Sequence, residues 1–482
     1  MLQDTLRRFL RDRYDTATRN KILDSDTGLS TEIWSELAEL GVIGALFTEE
    51  QGGFGGKGFD LAVVFEELGR AGVVEPFLDT AVLAGGLVAD LGDESQQALV
   101  EEIIGGACQM AFAHGEPTSR YDLNRVQATA KADGDAIVLN GHKAVVVNAE
   151  AADHLVISAR ESGQPSDDDG ISLFLVPAET KGVTIQGYAL LAGGRAAEVM
   201  LDDVRLTDAH RLGKAGSAFA AIEARYAAAA VAQCAETLGA METATTLTKD
   251  YLMTRKQFGR PIGTFQALAF RMSDMLIEME QARSAVINAA GHLEGNRKER
   301  ETNVSATKNL MGRVGRLVGE DSIQMHGGIA MTQEYELAHI AKRIVMADHR
   351  FGDTDHHLER FIALGAAINL TDPTGLATIS LEIEDKHRNR NGTLHGGIHS
   401  MMLDASAGFA ASRFLAGDAA LAAVVTLSLT TNFVAAGTDG VVVATGRVTG
   451  GGHKIIYAMA QITDVEGRIL SSASGVFKRV EK

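Results

Sequence analysis

Apolar residues recur at helical spacing through the first part of the chain. In residues 31–40 they form one stripe, and Gly41 follows as a typical helix stop. The glycine-rich segment 51–58 predicts a turn, after which helical spacing resumes over 61–70. These patterns predict a helical region over residues 1–108.

Between residues 109 and 212 the pattern changes to the short apolar runs that are typical of strands. We predict strands at 136–139, 144–147, 155–158 and 171–176. The Asn-Gly dipeptide at 140–141 predicts a hairpin turn after the first of these strands, because it tolerates the positive φ angles of a tight turn. This region is therefore predicted to be a β-insert.

From residue 213 to 365 long Ala- and Leu-rich segments again show helical spacing. Their predicted bounds are 221–255, 265–293 and 302–324. The order of helices, β-insert and helical bundle is typical of an α+β enzyme with a cleft where the parts meet.

The last part of the chain, residues 366–482, combines one apolar helix, which contains 400–410, with alternating segments. The alternating segments are predicted strands, at 376–383, 424–432, 440–449, 455–463 and 469–477. One helix and five such strands suffice for an antiparallel sheet that wraps a central helix. The whole chain is thus predicted to be a multidomain α+β protein.

Composition narrows the class of protein. A chain of 482 residues exceeds one ordinary domain, so two or three hydrophobic cores are expected. The formal net charge of -18 argues against a nucleic-acid partner, which needs clustered Lys and Arg. Cys108 and Cys234 are too few for a disulfide framework or a cysteine metal site. Because the sequence shows neither a signal-peptide pattern nor a membrane-length apolar run, we expect a cytoplasmic protein without a membrane partner or a metal.

One carboxylate, Asp404, lies inside an otherwise apolar helix that begins near Gly396 and Gly397. The glycine pair permits close backbone approach, and first-turn N–H groups can hold a polarised carbonyl oxygen. The residues one turn away from Asp404 are apolar or glycine, so burial is expected to raise the pKa of this carboxyl. The combination is suited to attack on a thioester, although an ordinary helix-surface acid is the alternative.

The segment Asn389–Gly397 followed by this helix resembles the hotdog-fold acyl-CoA thioesterases, in the branch of the phenylacetate-pathway enzymes and thioesterase superfamily proteins. The resemblance implies an acid or nucleophile on the central helix, a glycine pair that polarises the carbonyl, and an Asn and a Ser or Thr that orient water. It further implies that residues of one site can come from two subunits of a dimer. By position the implied residues are Asp404, Gly396 and Gly397, Asn389 and Thr426, with His395 as a substrate contact or a structural histidine.

Three further motifs occur in order within residues 1–365. They are Trp-Ser-Glu-Leu-Ala-Glu-Leu-Gly at 34–41, Arg-Lys-Gln-Phe-Gly-Arg-Pro-Ile-Gly with Phe-Gln at 255–266, and Gln-Met-His-Gly-Gly-Ile at 324–329. With the β-insert between the first two, they resemble the acyl-CoA dehydrogenase family. The resemblance implies that flavin adenine dinucleotide (FAD) is held between the β-insert and the helical bundle, in a dimer or tetramer.

Several residues match the family's FAD-binding positions. A guanidinium can fork onto a pyrophosphate, an aromatic ring can cover the adenine side, and glycines let the backbone approach the cofactor. The residues at matching positions are Arg255, Phe258, Gln266, Gln324, Gly327, Gly328 and Thr354. The alternative for Arg255 is a charge at a helix end, and for Phe258 an ordinary core aromatic.

The usual catalytic base of this family is missing. Most members use a Glu within Tyr-Glu-Gly-Thr, whereas this chain has Phe-Gly-Asp-Thr at 351–354, with Gly352 at the Glu position. The helix position used by isovaleryl-type relatives corresponds to Ala229. Asp353 is a candidate substitute, although it is shorter and projects differently. In the β-insert, Val145 replaces the aromatic that often follows the hairpin lysine.

These departures resemble the small-subunit type of heteromeric acyl-CoA dehydrogenases, which implies a larger partner subunit. The first hypothesis is therefore a bifunctional protein, an FAD-binding dehydrogenase-like domain fused to an acyl-CoA thioester hydrolase. The second is a non-catalytic or partner-dependent small subunit or scaffold. In the third, the hotdog domain hydrates enoyl-CoA, which the absence of the hydratase motif Gly-Asp-x-Asn-Pro-x-His disfavours. Expected partners are an acyl-CoA substrate, further copies of the chain and a larger dehydrogenase subunit.

Overall fold

The computed structural model describes residues 2–332, 334–369, 376–389, 391–416, 422 and 424–480. The chain divides into two units, Met1–Leu358 and Glu359–Lys482. The division falls inside the helix Thr354–Gly365, ahead of the boundary that the sequence predicts after residue 365. No helix in these described ranges is long and apolar enough to cross a membrane.

Helices form most of the first unit, and one continues past its end. They are α1 (Leu2–Arg13), α2 (Thr16–Leu23), α3 (Thr31–Glu39), α4 (Gly58–Ala71), α5 (Gly86–Leu91), α6 (Glu94–Ile104), α7 (Phe219–Thr254), α8 (Gln266–Gly291), α9 (Arg297–His326), α10 (Glu336–Ala347) and α11 (Thr354–Gly365). A π-helical segment over Leu78–Gly85 precedes α5. All the predicted helices of this unit are confirmed, as α3, α4, α7, α8 and α9.

Local chemistry sets the ends of α3. The Ser30 side chain accepts the N–H of Ile33 at 3.3 Å, which caps the first turn. Beyond the last turn, Gly41 has a φ of 82°, a conformation that favours glycine. Between these signals Trp34 and Leu37 face the core of the unit and are buried.

The β-insert of the first unit is one sheet. Its strands are β1 (Met110–Ala113), β2 (Thr129–Asp133), β3 (Ala136–Val147), β4 (His154–Arg160), β5 (Ile171–Pro177), β6 (Val183–Ala189), β7 (Arg195–Leu206) and β8 (Arg211–Leu212). The order across the sheet is β6-β7-β3-β2-β4-β5-β8, with β1 parallel to β4. The strands predicted at 155–158 and 171–176 are confirmed within β4 and β5. A separate small hairpin joins β9 (Lys256–Gln257) and β10 (Arg260–Pro261).

The hairpin predicted at 140–141 is wrong. Asn140 and Gly141 lie inside the single strand β3, whose pairing with β7 shifts register between Leu139 and Gly141, and the turn into this strand is at Gly134, whose φ is 64°. Glycine is needed at position 141 because Ala128 packs closely against its backbone. A Cβ atom at this position would lie 2.4 Å from the Cβ atom of Ala128. The Asn-Gly signal thus marks a close approach within the sheet and not a turn.

The second unit packs the helix α12 (Gly396–Ala416) against an antiparallel sheet. Its strands are β11 (Ala366–Asn369), β12 (Ala377–Glu382), β13 (Val424–Phe433), β14 (Val441–Gly451), β15 (Ile455–Thr463) and β16 (Ile469–Arg479), in the order β11-β12-β14-β15-β16-β13. Met402, Leu403 and Ala407 of α12 are fully buried against this sheet. The predicted helix and five predicted strands are confirmed, and the arrangement is that of a hotdog domain.

Candidate functional site

Asp404 and Thr426 form a polar pair in the second unit. The Thr426 hydroxyl on β13 donates to Oδ1 of Asp404 on α12 at 3.0 Å. Asp404 is partly buried, whereas Thr426 is exposed. Two residues that the sequence assigned to one catalytic site are therefore in direct contact.

Burial raises the pKa of Asp404, and the hydrogen bond from Thr426 opposes this shift. The direction agrees with the prediction from the apolar helix around this carboxyl. A raised pKa means that the folded protein holds the proton more tightly than the unfolded chain does. The contribution of Asp404 to stability therefore falls as the pH rises from the unfolded pKa through the folded one. A carboxyl whose pKa is raised by burial costs the fold stability when it ionises, and such perturbed groups cluster at functional sites.

The start of α12 differs from the expected arrangement. Nδ1 of His395 accepts the N–H of Gly397 at 3.0 Å, so this N–H already has a partner. The N–H of Gly396 has no acceptor among the residues that the structure describes. Because the His395 side chain is exposed, rotation of its ring would release the Gly397 N–H. His395 thus caps the helix, and Gly396 offers the N–H that is open to a carbonyl oxygen.

Asn389 is held within its own loop. Its Oδ1 atom accepts the N–H groups of Asn391 at 2.9 Å and Thr393 at 3.3 Å. Its Nδ2 atom donates to Oγ1 of Thr393 at 3.0 Å. No hydrogen bond joins Asn389 to Asp404 in the described part of one chain. The structure therefore brings Thr426, but not Asn389, to the carboxylate within one copy.

His399 and Ser471 form a buried pair that the sequence analysis missed. Nδ1 of His399 and Oγ of Ser471 are 2.7 Å apart, and both residues are almost fully buried. Burial lowers the pKa of His399, so the neutral ring is favoured at neutral pH. Helical spacing was the available signal, because His399, Met402 and Ser406 share one buried face of α12.

Replacing Thr426 with Val should raise the pKa of Asp404 further. The substitution removes the hydrogen bond that lowers this pKa and keeps the shape of the side chain. If the Asp404 carboxylate drives thioester hydrolysis, the acidic limb of kcat/KM against pH moves to higher pH. Thr426→Ser retains the hydroxyl and should keep the wild-type profile. An unmoved limb in Thr426→Val would remove this hydrogen bond from the mechanism.

In the first unit, Gly352 occupies a place that a glutamate cannot take. Its φ is 103°, and a Cβ atom there would lie 2.6 Å from Cδ2 of His356 and 2.7 Å from Nε2 of His357. His357 is buried, and its Nε2 atom contacts the carbonyl oxygen of Phe351 at 2.8 Å, so this ring is held in place. The packing around Gly352 therefore agrees with the absence of the usual base.

Asp353 caps the start of α11. Its Oδ1 atom accepts the N–H of His356 at 2.8 Å, and its Oδ2 atom lies 3.4 Å from Nη2 of Arg120. Burial alone would raise the pKa of Asp353, but the His356 N–H and the Arg120 charge together lower it. Thr354, the first residue of α11, donates its hydroxyl to Asp348 at 2.9 Å. A helix-capping carboxylate with a lowered pKa is a weak base, so the geometry does not support Asp353 as the substitute.

An aromatic cluster surrounds the position of the missing base. The ring of Tyr226 on α7 lies 5.4 Å from that of Phe351 and 5.5 Å from that of His114, between centroids. Burial raises the pKa of Tyr226, so its hydroxyl stays protonated. Ala229, one turn further along α7, is fully buried and supplies no carboxylate.

The segment that follows α7 is exposed to solvent. Phe258 lies at the tip of the β9–β10 hairpin and is 91% exposed, so it is not a core aromatic. Arg255 at the end of α7 is exposed as well. A large apolar ring in this state is available to a ligand or to a second protein surface.

Three further residues of the predicted FAD site lie at the end of α9. Gln324, Gly327 and Gly328 are exposed, and a Cβ atom at either glycine would meet no atom within 4 Å. The backbone there is therefore open to an approaching group. Gln266 begins α8 and is also exposed.

A buried ion pair lies inside the β-insert. Nζ of Lys143 donates to Oε1 of Glu116 at 2.7 Å and to Oγ of Ser158 at 3.1 Å. Burial lowers the pKa of Lys143 to about 8, and Glu116 opposes this shift. Two residues along β3, Val145 has a φ of 55° and is 58% exposed. The pair anchors β3, the strand that presents Val145 to solvent.

Family profiles match almost the whole chain. Those of the N-terminal, middle and C-terminal domains of acyl-CoA dehydrogenases match residues 1–106, 111–204 and 217–363. Residues 1–363 carry the three domains of an acyl-CoA dehydrogenase. The profile of the thioesterase superfamily matches residues 391–471, which lie in the hotdog unit.

Individual relatives agree with this acyl-CoA dehydrogenase assignment. The probable acyl-CoA dehydrogenase YngJ of Bacillus subtilis is 29% identical over 341 residues, which are 69% of this chain and 90% of that protein. Among solved structures, a variant of the Tcur3481-Tcur3483 steroid ACAD is 29% identical with a TM-score of 0.68, covering 75% of this chain and 96% of that one. PigA with FAD and proline is 25% identical with a TM-score of 0.70, covering the same 75% and 96%. The chain is thus an acyl-CoA-metabolising protein in which an oxidoreductase fold precedes a thioesterase-superfamily domain.

Proposed function

We propose that this protein is a bifunctional enzyme that acts twice on acyl-CoA esters. The hotdog unit hydrolyses the thioester, with Asp404 as the catalytic carboxylate. The dehydrogenase unit binds FAD and takes part in oxidation of the acyl group. The observation that carries the hydrolytic proposal is the contact between Thr426 and Asp404, a partly buried carboxylate whose pKa is raised by burial.

In the proposed reaction Asp404 takes a proton from water while the water oxygen attacks the thioester carbonyl carbon. The N–H of Gly396, joined by that of Gly397 once His395 turns away, holds the developing oxyanion. The carbon–sulfur bond then breaks, and Asp404 returns the proton to the leaving thiolate. The products are a carboxylic acid and free CoA. Thr426 orients the carboxylate throughout.

A second copy of the chain completes the hydrolytic site in this proposal. β13 lies at the edge of the sheet and pairs only with β16 among the described strands. Its Val425, Leu427 and Phe433 side chains are exposed, and the strand contains no charged residue. An uncharged, apolar edge strand is a template for pairing with another strand. Such pairing would cover Thr426 and could supply the Asn389 loop of one copy to the Asp404 of the other.

Release of CoA from a panel of acyl-CoA esters, followed with a thiol reagent, tests the hydrolytic proposal. We expect hydrolysis of at least part of the panel. Crotonyl-CoA belongs in the panel because it separates hydrolysis from hydration. Water addition to crotonyl-CoA without release of CoA would favour an enoyl-CoA hydratase, and the absence of CoA release from every ester would contradict the thioesterase.

The residues of the dehydrogenase unit fit FAD at its adenine and pyrophosphate end. The open backbone at Gly327 and Gly328, the guanidinium of Arg255 and the exposed ring of Phe258 offer the contacts that such a group needs. When bound, FAD supplies an acceptor for the hydride that leaves the β-carbon of the acyl group. Because these residues lie at the surface of one copy, a neighbouring subunit completes the site.

Truncating Phe258 should weaken FAD binding without loss of stability. The ring is 91% exposed, so Phe258→Ala removes little packing within the chain. A lost aromatic stacking contact corresponds to an affinity about three- to tenfold weaker. Flavin retained after dialysis, read from visible absorbance, measures the effect. Phe270→Ala on α8, where the ring is 63% exposed, is the matched control and should retain flavin. Equal retention by both variants would contradict the role of Phe258.

A second candidate function, a partner-dependent small subunit, is favoured by Gly352 and Asp353. One position has no room for a carboxylate, and the other carboxylate caps a helix. In this case a larger subunit supplies the base. Visible spectra and acyl-CoA oxidation of the protein alone, and after addition of a larger dehydrogenase subunit, separate the two cases. Oxidation by the protein alone would exclude dependence on a partner.

A further inference from the structure

A cavity of about 410 Å³ lies in the first unit between α1, α2, α4, α7 and α10. Its wall includes none of the candidate residues for FAD binding, for the dehydrogenase base or for thioester hydrolysis among those that the structure describes. Five arginines line it, against three acids, Asp15, Glu67 and Glu336. The cavity is therefore separate from both candidate active sites. Arg7 pairs with Glu67, Arg70 with Glu66, Glu67 and Glu242, and Arg343 with Glu236, so Arg19 is the buried arginine of the wall that has no ion pair within the described residues.

Arg19 is the most unusual of these arginines. It is 6% exposed, and its Nε atom has no hydrogen-bond partner in the part of the chain that the structure describes. Burial lowers the pKa of Arg19 to about 10, and the nearby charge of Arg343 lowers it as well. A buried guanidinium that faces a like charge is costly unless an anion compensates it.

One other arginine in the wall has a donor without an acceptor. Nη1 of Arg343 on α10 is buried and makes no hydrogen bond within the described residues. Arg343 is otherwise engaged, since its Nε atom donates to Oε1 of Glu236 at 2.8 Å. Nε of Arg70 on α4 also makes no hydrogen bond, but it lies 3.4 Å from Oε2 of Glu67 in an ion pair. Nε of Arg19 and Nη1 of Arg343, from two different helices, therefore lack an acceptor around one cavity. Buried donors normally have partners, so their coincidence in one cavity points to a ligand.

We propose that this cavity binds a phosphate group, either as free phosphate or on a small phosphorylated metabolite. A phosphate presents several oxygen acceptors in different directions, which suits donors that come from different helices, whereas a carboxylate has two oxygens in one plane. The cavity volume lies within the range of about 300–1,000 Å³ that is typical of small-molecule sites. Leu10, Tyr14 and Ile340 in the wall offer apolar contact to the remainder of a metabolite.

Calorimetric titration of the full-length protein tests this proposal. Inorganic phosphate and glycerol 3-phosphate are compared with acetate and chloride at constant ionic strength. We expect one or both phosphates to bind and to raise the Tm of the protein by roughly 2 °C at tenfold excess over Kd, with no effect of the other anions. If inorganic phosphate binds, the free ion is a sufficient ligand for the cavity. If only glycerol 3-phosphate binds, the ligand is a phosphorylated metabolite.

The variant Arg19→Met should bind phosphate at least tenfold more weakly. Because it removes a buried, unpaired charge, its Tm in phosphate-free buffer should equal or exceed that of the wild type, which shows that it folds. Arg8→Gln, an exposed arginine on α1, removes the same charge nearby and should bind like the wild type. Absence of binding by the wild type, or equal binding by Arg19→Met, would overturn the proposal.

Discussion

Asp404→Asn is expected to lower kcat/KM for thioester hydrolysis by about a hundred- to ten-thousandfold, the usual contribution of a general base. The amide keeps the size of the side chain and can still accept the Thr426 hydroxyl, but it cannot take a proton from water. Burial raises the pKa of Asp404, so loss of its charge should leave the unfolding temperature unchanged or higher. Initial rates with several acyl-CoA esters and a melting curve of the same preparation measure both effects.

Glu466→Gln is the matched control for this substitution. Glu466 is an exposed acid in the same unit, and its replacement changes the net charge by the same amount. We expect wild-type rates from this variant. If Asp404→Asn hydrolysed thioesters at the wild-type rate, the carboxylate would not be the catalytic group. If both variants lost activity equally, the loss would reflect net charge and not the site.

Gly352→Glu is expected to destabilise the dehydrogenase unit and not to restore its base. The φ of 103° strains any side chain, at a cost of roughly 1–3 kcal/mol. The clash of the new Cβ atom with His356 and the held ring of His357 adds about 1–3 kcal/mol of overpacking. Together these costs are a large fraction of the free energy of unfolding of a typical protein, about 5–15 kcal/mol. Thermal unfolding and the reduction of flavin by acyl-CoA measure the outcome.

Gly352→Ala separates the two effects of this substitution. Alanine brings the same strain and the same Cβ clash without a carboxylate, so it should lose a similar amount of stability. A folded Gly352→Glu protein that oxidises acyl-CoA faster than the wild type would show that the position can hold a base after all. In that case the partner-dependent reading of the dehydrogenase unit would lose its main support.

Asp404 shows how far a local pattern can reach. One acid among apolar helix residues predicted a partly buried carboxylate with a raised pKa, and the structure agrees. The same segment did not predict that the His395 ring accepts the N–H of Gly397 and so caps the helix. It also did not predict that the Asn389 amide hydrogen-bonds within its own loop. These contacts depend on the path of the loop before α12, which residue spacing does not encode.

At Asn140-Gly141 a familiar local signal had another cause. The dipeptide is typical of a hairpin, yet Gly141 lies within β3 and packs closely against Ala128. For Phe258 the sequence left two possibilities, a contact to FAD and a core aromatic, and the exposure of its ring at a hairpin tip excludes the second. In both cases the neighbours that a residue has in the folded chain decided the outcome.

The sequence by itself determined the succession of a helical region, a β-insert, a helical bundle and a helix-plus-sheet domain, and the absence of a glutamate at position 352. These properties follow from hydrophobic periodicity and from residue identity at single positions. Both are local features, so they can be recognised without knowing which distant residues come into contact. Only the tertiary structure decided that Gly352 has no room for a carboxylate, that Asp353 caps a helix, and that Arg19 and Arg343 line one cavity. The reason is that burial, hydrogen-bond partners and unpaired charges arise between residues far apart in the chain, where packing alone brings them together.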